Sequence, residues 1–261
     1  SEVFNVTYLS AYLSGTLVVV ALGYQFTRRV QGASAVSASV YALGMSSSNT
    51  GFVGYPILLL IMPSVAGTAL ALNMMLENLV VIPLLLLMAE IRKNPGQHGP
   101  ALRAALQRLS RNPLVLGIGA GLAVSLSGWT LPSAFTRTID MIAASSAALS
   151  LFVIGGTLVG LGRKPDMRQM WPIVGGKLLL HPLMVWMALT ILPWLGLPAL
   201  SSDLFLAAVL LSAMPMIAVY TTLAQSYGLE ETCAQATLIA TTLSFLSVSG
   251  LLWALHLGPM R

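Results

Sequence analysis

Apolar residues in this chain come in runs too long for any helix that must keep one face in water, as in Pro83 to Ala89 and Leu178 to Leu192. A soluble amphipathic helix interrupts its apolar stretches every few positions. Charged side chains make up only 8% of the 261 residues, against about 25% in ordinary soluble domains. With 56% hydrophobic residues and a mean hydropathy of +0.84, the chain cannot furnish a water-facing surface. Lipid is the solvent for most of it.

Several function classes fall away at once. The single cysteine, Cys233, rules out an intramolecular disulfide, and no cysteine and histidine cluster has metal-ligand spacing, so neither a metal site nor a cofactor is expected. A net charge of +5 would suit nucleic acid, but the basic residues sit in short blocks between apolar segments, as membrane topology places them. The bilayer, and not nucleic acid, is the expected partner. No phosphate-binding loop of the GxxxxGK[ST] type is present, so ATP-driven transport by this chain alone has no support.

A membrane-crossing helix needs about 20 mostly apolar residues. The segments that fit are Thr7 to Phe26, Ala35 to Met62, Ala66 to Ile91, Pro113 to Gly128, Ile139 to Gly162, Trp171 to Trp194, Asp203 to Ser226 and Thr232 to Leu257. The reading is therefore all-α and polytopic, with eight transmembrane helices. If they alternate in direction, one side receives Arg28, Arg29, Arg92, Lys93, Arg103, Arg108, Arg111, Arg163, Lys164 and Arg168, ten of the thirteen basic residues. The positive-inside rule makes that side cytoplasmic and turns both termini outward. A multi-pass protein of the inner (plasma) membrane is expected, and a homodimer is compatible with it.

The stretch 92–112, with Pro95, Gly96, Gly99 and Pro100, reads as a cytoplasmic linker between a first repeat over 1–91 and a second over 113–261. Segments two and seven look like counterparts, each with small polar residues and a mid-membrane proline, and they run in opposite directions. That is the plan of an inverted repeat with two broken helices, frequent among secondary transporters. Three helices precede the linker and five follow it, so two N-terminal helices are expected to be missing, with an intact three-plus-five arrangement as the alternative.

The most informative stretch is Ser46-Ser47-Ser48-Asn49-Thr50-Gly51-Phe52-Val53-Gly54-Tyr55-Pro56. Pro56 offers no N–H, and Gly51 and Gly54 are permissive, so the backbone is expected to unwind or kink in mid-membrane. Such backbone is tolerated only when buried in protein or lining a wet cavity. Freed backbone groups, with Asn49 and Thr50, then suit an ion or a carboxylate. The same residues also serve close helix packing with a simple bend at Pro56. Both readings stand at this level.

Three ionisable residues lie inside apolar segments. Glu77 is too far from either end of its segment to snorkel, and Asn73, four residues earlier, shares its face. The pair is a candidate for proton coupling or gating, or for a structural hydrogen bond. Lys177 and His181, an i, i+4 pair, put a cation and an imidazole on one face. They are candidate substrate ligands, with snorkelling of Lys177 and a satisfied core histidine as the other readings.

The pattern Asn49-Thr50-x-x-x-Gly54-x-Pro56 resembles the crossover motif of the auxin efflux carrier family, which includes plant auxin exporters and bacterial malate and malonate permeases. Ser212-Ala213-Met214-Pro215, followed by Ala224-Gln225-Ser226-Tyr227-Gly228, is similar to that family's second broken helix. The resemblance extends over nearly the whole chain. It implies a ten-helix, two-repeat fold related to bile-acid sodium symporters, with substrate bound where the broken helices cross. It implies a substrate contact at Asn49 and a first crossover marked by Pro56, and it makes Thr50, Gly54 and Pro215 part of the same site. Where the plant carriers place a second proline, this chain has Tyr220, with Thr221, Thr222 and Gln225 nearby. A plant-like auxin specificity is not implied.

A secondary carrier of a small organic anion such as malonate, malate or an auxin-like carboxylate accounts for most of these features, with H+ or Na+ as coupling ion. A sodium-coupled symporter is the nearest alternative. A channel would show flux that does not saturate, and an intramembrane enzyme would need paired acids that Glu77 alone does not supply.

Overall fold

The computed structural model describes residues 5–93, 103, 107, 110, 111, 113–143, 145 and 166–255. Among them the chain is helical, with no strand beyond one isolated bridge. The helices are α1 (Val6–Arg29), α2 (Ala35–Ser46), α3 (Tyr55–Ile61), α4 (Pro63–Leu76), α5 (Ile82–Lys93), α6 (Pro113–Ser127), α7 (Met167–Gly175), α8 (His181–Ile191), α9 (Ser202–Ser212), α10 (Tyr220–Gln225) and α11 (Glu230–Ala254). The ends of α1 follow ordinary capping chemistry. The Asn5 side chain accepts the Tyr8 N–H at 3.0 Å to start α1, and Arg28 and Arg29 close it against the negative end of its dipole.

Four helical stretches are long and apolar enough to cross a membrane: Val6–Arg29, Pro63–Lys93, Met167–Leu195 and Glu230–Ala254. Large apolar side chains such as Leu60, Leu179, Phe245 and Leu246 lie exposed on the outside of the bundle, where only lipid makes them stable. Trp171 and Trp194 stand near opposite ends of the third stretch, as interfacial tryptophans do. This is a membrane protein.

The expected eight segments resolve differently. Segments one, three, six and eight are the four long stretches. Segments two and seven are broken into half-length helices, and α6 covers segment four. Segment five beyond 139–143 and 145, and most of the 92–112 linker, lie outside the described residues.

The two long stretches in the middle of the fold are not regular. Pro63–Lys93 widens into a π-turn over Glu77–Val81, and Met167–Leu195 does so over Gly176–Leu180. A third π-turn, Thr50–Gly54, leads into α3. Each is followed, two residues after its end, by a proline: Pro83, Pro182 and Pro56. A proline inside a continuing helix clashes with the carbonyl four residues back and leaves it without a donor. A wider turn moves that carbonyl aside, so the helix carries on through the proline instead of stopping.

Three apolar clusters pack the bundle. One gathers Val19, Tyr41, Met45, Ile173, Tyr220 and Cys233, a second Tyr8, Tyr12, Leu72, Val185 and Leu204, and a third Leu58, Ala66, Leu211 and Met214. Helix α1 runs along α2 and α8, while α4 lies against α9. The polar residues of the broken segments are enclosed among these clusters.

Candidate functional site at the crossing of two broken helices

Helix α2 stops at Ser46, and the next three residues are non-helical, with Ser47 extended, before the π-turn begins. Helix α9 stops at Ser212, and the chain stays irregular until α10 begins at Tyr220. The two breaks meet back to back. Ser48 and Met216 form an antiparallel bridge, and the Asn49 N–H donates to the Pro215 carbonyl at 2.7 Å. Each break thus satisfies part of the other's backbone, which is what permits unwound chain so deep inside an apolar protein.

Around this crossing a connected set of polar side chains is almost wholly buried. Glu77, Asn73, Lys177, His181, Ser212, Tyr8, Tyr12 and Thr16 are all at 0% exposure, with Ser48 and Thr50 at 1% and Asn49 at 4%. From one side, Glu77 Oε1 accepts the Ser48 N–H at 2.8 Å, and Oε2 accepts the Thr50 hydroxyl at 3.4 Å. Asn73 Nδ2 reaches Thr50 Oγ1 at 3.5 Å, and Asn73 Oδ1 accepts the Tyr8 hydroxyl at 2.9 Å. From the other side, Lys177 Nζ donates to Ser48 Oγ at 2.6 Å and to the Ser212 carbonyl at 2.9 Å. His181 Nδ1 lies 2.6 Å from the same Nζ, and His181 Nε2 lies 3.0 Å from Thr16 Oγ1.

With Lys177 as the ammonium, the donor count orients the imidazole. An ammonium has three N–H groups and no lone pair, so toward Lys177 the His181 Nδ1 must accept. Nε2 then carries the ring proton and donates to Thr16. The ring is a neutral link between the cation and α1, and Tyr12 packs against it edge-on at 5.7 Å.

Both ionisable residues sit in π-turns: Glu77 opens one and Lys177 lies within another. Such turns are frequent at functional sites.

The sequence-derived residues fall into three groups. Asn49, Thr50, Pro215, Lys177, His181, Glu77 and Asn73 come together at the crossing. Asn49 also caps the first π-turn, its Oδ1 accepting the Phe52 N–H at 3.2 Å. Gly54 is a contact position: a Cβ there would sit 2.5 Å from Leu211 Cδ2. Pro56 stands in the first turn of α3, downstream of the unwound residues and two positions past the π-turn that leads into that helix. Tyr220 is fully buried at the start of α10 and accepts from the Cys233 thiol at 3.2 Å, while Thr221 beside it is half-buried.

Sequence reasoning passed over Tyr8, Tyr12, Thr16, Ser48 and Ser212 as individual contributors. A signal existed for the first three. Spaced by four, they draw a polar stripe down an otherwise apolar α1. Ser48 and Ser212 gave none, because their roles depend on which partner the fold delivers. Among the described residues no group of three or more His, Cys, Asp or Glu side chains gathers to hold a metal.

Comparison with known proteins identifies a transport family. Residues 5–253 match the model of a family described as "Membrane transport protein". The chain is also 28% identical, over 265 aligned positions, to the "Putative malonate transporter" of Rhizobium meliloti (strain 1021), an alignment covering 99% of this chain and 80% of that protein.

Proposed function

Because this chain belongs to the membrane transport protein family, an auxin efflux carrier-like family, we propose that it is a multi-pass secondary carrier of a small organic anion, with malonate or malate as first candidates. The observation that carries this reading is the hydrogen bond from the Asn49 N–H to Pro215, which joins two broken helices inside a polar, buried centre. Half-helix ends at mid-membrane are where carriers bind charged cargo. The substrate's carboxylates engage Asn49 and Thr50 beside Pro215, and the relative's name supports a dicarboxylate.

Burial of every member of the network corresponds to an occluded form, and access from either side requires the two breaks to slide or separate. The two broken segments, taken as counterparts of opposite direction, support an inverted repeat, with the basic clusters and the 92–112 linker in the cytoplasm of a cell whose inner membrane holds the protein. Energy comes from a cation gradient or from the membrane potential acting on the anion.

Uptake of radiolabelled malonate and malate into vesicles reconstituted with the purified protein tests the reading. Saturable uptake, competed by the unlabelled dicarboxylate, is expected. Flux that stays proportional to concentration would favour a channel, and no flux of any dicarboxylate would remove the substrate class.

A further inference from the structure

The surroundings of Lys177 are those of a bound cation. Its Nζ is held by Ser48 Oγ at 2.6 Å, the Ser212 carbonyl at 2.9 Å and His181 Nδ1 at 2.6 Å, and it has no solvent exposure. The three acceptors belong to three separate parts of the chain: the first break, the C-terminal end of α9, and α8. The Ser212 carbonyl carries the negative end of the α9 dipole, and Ser48 lies beside the C-terminal end of α2. In carriers built on broken helices, unwound carbonyls and half-helix C-terminal ends hold the coupling sodium ion or proton. Glu77, on the other side of Ser48, supplies the countercharge.

We infer that the Lys177 ammonium is a built-in cation that occupies the ion position of this crossover, so that transport by this chain is independent of sodium. The inference rests on the carrier reading for the transport it describes, but the cage itself is a matter of side-chain chemistry. A lysine ammonium is a compact point charge with three donors, and three acceptors meet it here. That imidazole nitrogen is thereby used up, and each oxygen already serves the ammonium. An inorganic ion at this place would have to displace the lysine, whose stem is anchored in the Gly176–Leu180 turn.

Two arms test it. In the first, wild-type protein is melted, and its malonate uptake measured, in sodium, potassium and choline chloride at equal ionic strength. No loss of uptake and no sodium-specific shift in melting temperature is expected, whereas a sodium requirement in either readout overturns the inference. In the second, Lys177→Ala empties the cage. Methylammonium should then raise the melting temperature of this variant by roughly 2–4 °C and leave the wild type unmoved, as a ligand that binds only the folded state does. A variant indifferent to methylammonium also overturns it. If Lys177→Ala does not fold, the wild-type arm decides. If the wild type moves no dicarboxylate in any salt, the carrier reading fails separately, and the melting measurements still decide whether the cage holds a built-in cation.

Discussion

Glu77 and Lys177 meet through Ser48: the carboxylate takes the serine's backbone N–H at 2.8 Å, and the ammonium takes its hydroxyl at 2.6 Å. One residue of the first break is thus gripped from both sides by groups of opposite charge, carried on two long helical stretches. Because the grip uses the backbone on one side and the side chain on the other, the two halves can be removed independently.

Ser48→Ala deletes only the Lys177 side. The ammonium loses one of its three acceptors in a place water does not reach, and the Tyr12 hydroxyl loses its neighbour at 3.3 Å. A buried donor left unsatisfied costs about 1–3 kcal/mol, more for a charged group. A lowered melting temperature and reduced uptake are expected. Ser47→Ala is the control, because the Ser47 hydroxyl is buried with no hydrogen-bond partner and its loss should leave the melting temperature unchanged. Equal behaviour of the two variants would show that the Lys177 contact carries no energy.

Removing charge from one side should harm the protein more than removing it from both. Glu77→Gln keeps an acceptor for the Ser48 N–H but leaves Lys177 without its countercharge, and breaking a buried pair in this way typically costs about 3–5 kcal/mol. Lys177→Met leaves the carboxylate alone instead. The double variant buries neither charge. A cycle of melting experiments should give a coupling energy of about 0.5–3 kcal/mol in favour of the double variant. Strict additivity would mean that the two charges do not sense each other across Ser48.

The second break is positioned by a contact of a different kind. The Tyr220 ring lies so close to Gly44 of α2 that a Cβ at that position would stand 2.5 Å from Cζ and 2.6 Å from the hydroxyl oxygen. Tyr220 is fully buried and cannot swing away. Gly44→Ala should therefore destabilise the protein by about 1–3 kcal/mol, the usual cost of overpacking. The added Tyr220→Leu substitution, which shortens the intruding side chain, should recover part of the loss. A Gly44→Ala protein as stable as wild type would mean that α10 moves freely against α2.

How much of this was legible in the sequence depends on the range of the cause. The breaks were legible because Ser, Gly and Pro in an apolar segment act locally on the backbone. Glu77 with Asn73 and Lys177 with His181 were legible as pairs because i, i+4 spacing fixes a shared face. The π-turns were not read, although Pro56, Pro83 and Pro182 were there to suggest that helices continuing past a proline had to widen. The convergence of Glu77 and Lys177 on Ser48 had no local signature, since it arises from how α4, α5, α7 and α8 pack around the breaks. Pro56 shows the difference most plainly: its motif marked the right region, yet the unwound residues are Ser47 to Asn49, upstream of it.

Asn49 and Pro56 should accordingly fail in different ways. The Asn49 Oδ1 caps the π-turn through the Phe52 N–H, and in the carrier reading proposed above the NH2 group offers donors to an anion at the crossing. Asn49→Ala removes both, with the loss of a cap alone worth about 0.5–2 kcal/mol of stability. Asn49→Ser restores a capping oxygen but not the amide donors. It should melt close to wild type while binding malonate more weakly, by roughly ten- to a hundredfold if one hydrogen bond to a charged group is lost, or about 1.5–3 kcal/mol. Pro56→Ala leaves the amide in place. It supplies an N–H and removes the ring that keeps the Thr50–Gly54 turn wide, so the turn can tighten and draw Thr50 away from Glu77. Turnover should then fall more than affinity or melting temperature. Equilibrium binding, melting and uptake for the three variants separate these outcomes. Wild-type affinity in Asn49→Ser together with wild-type turnover in Pro56→Ala would reduce the first break to a packing feature.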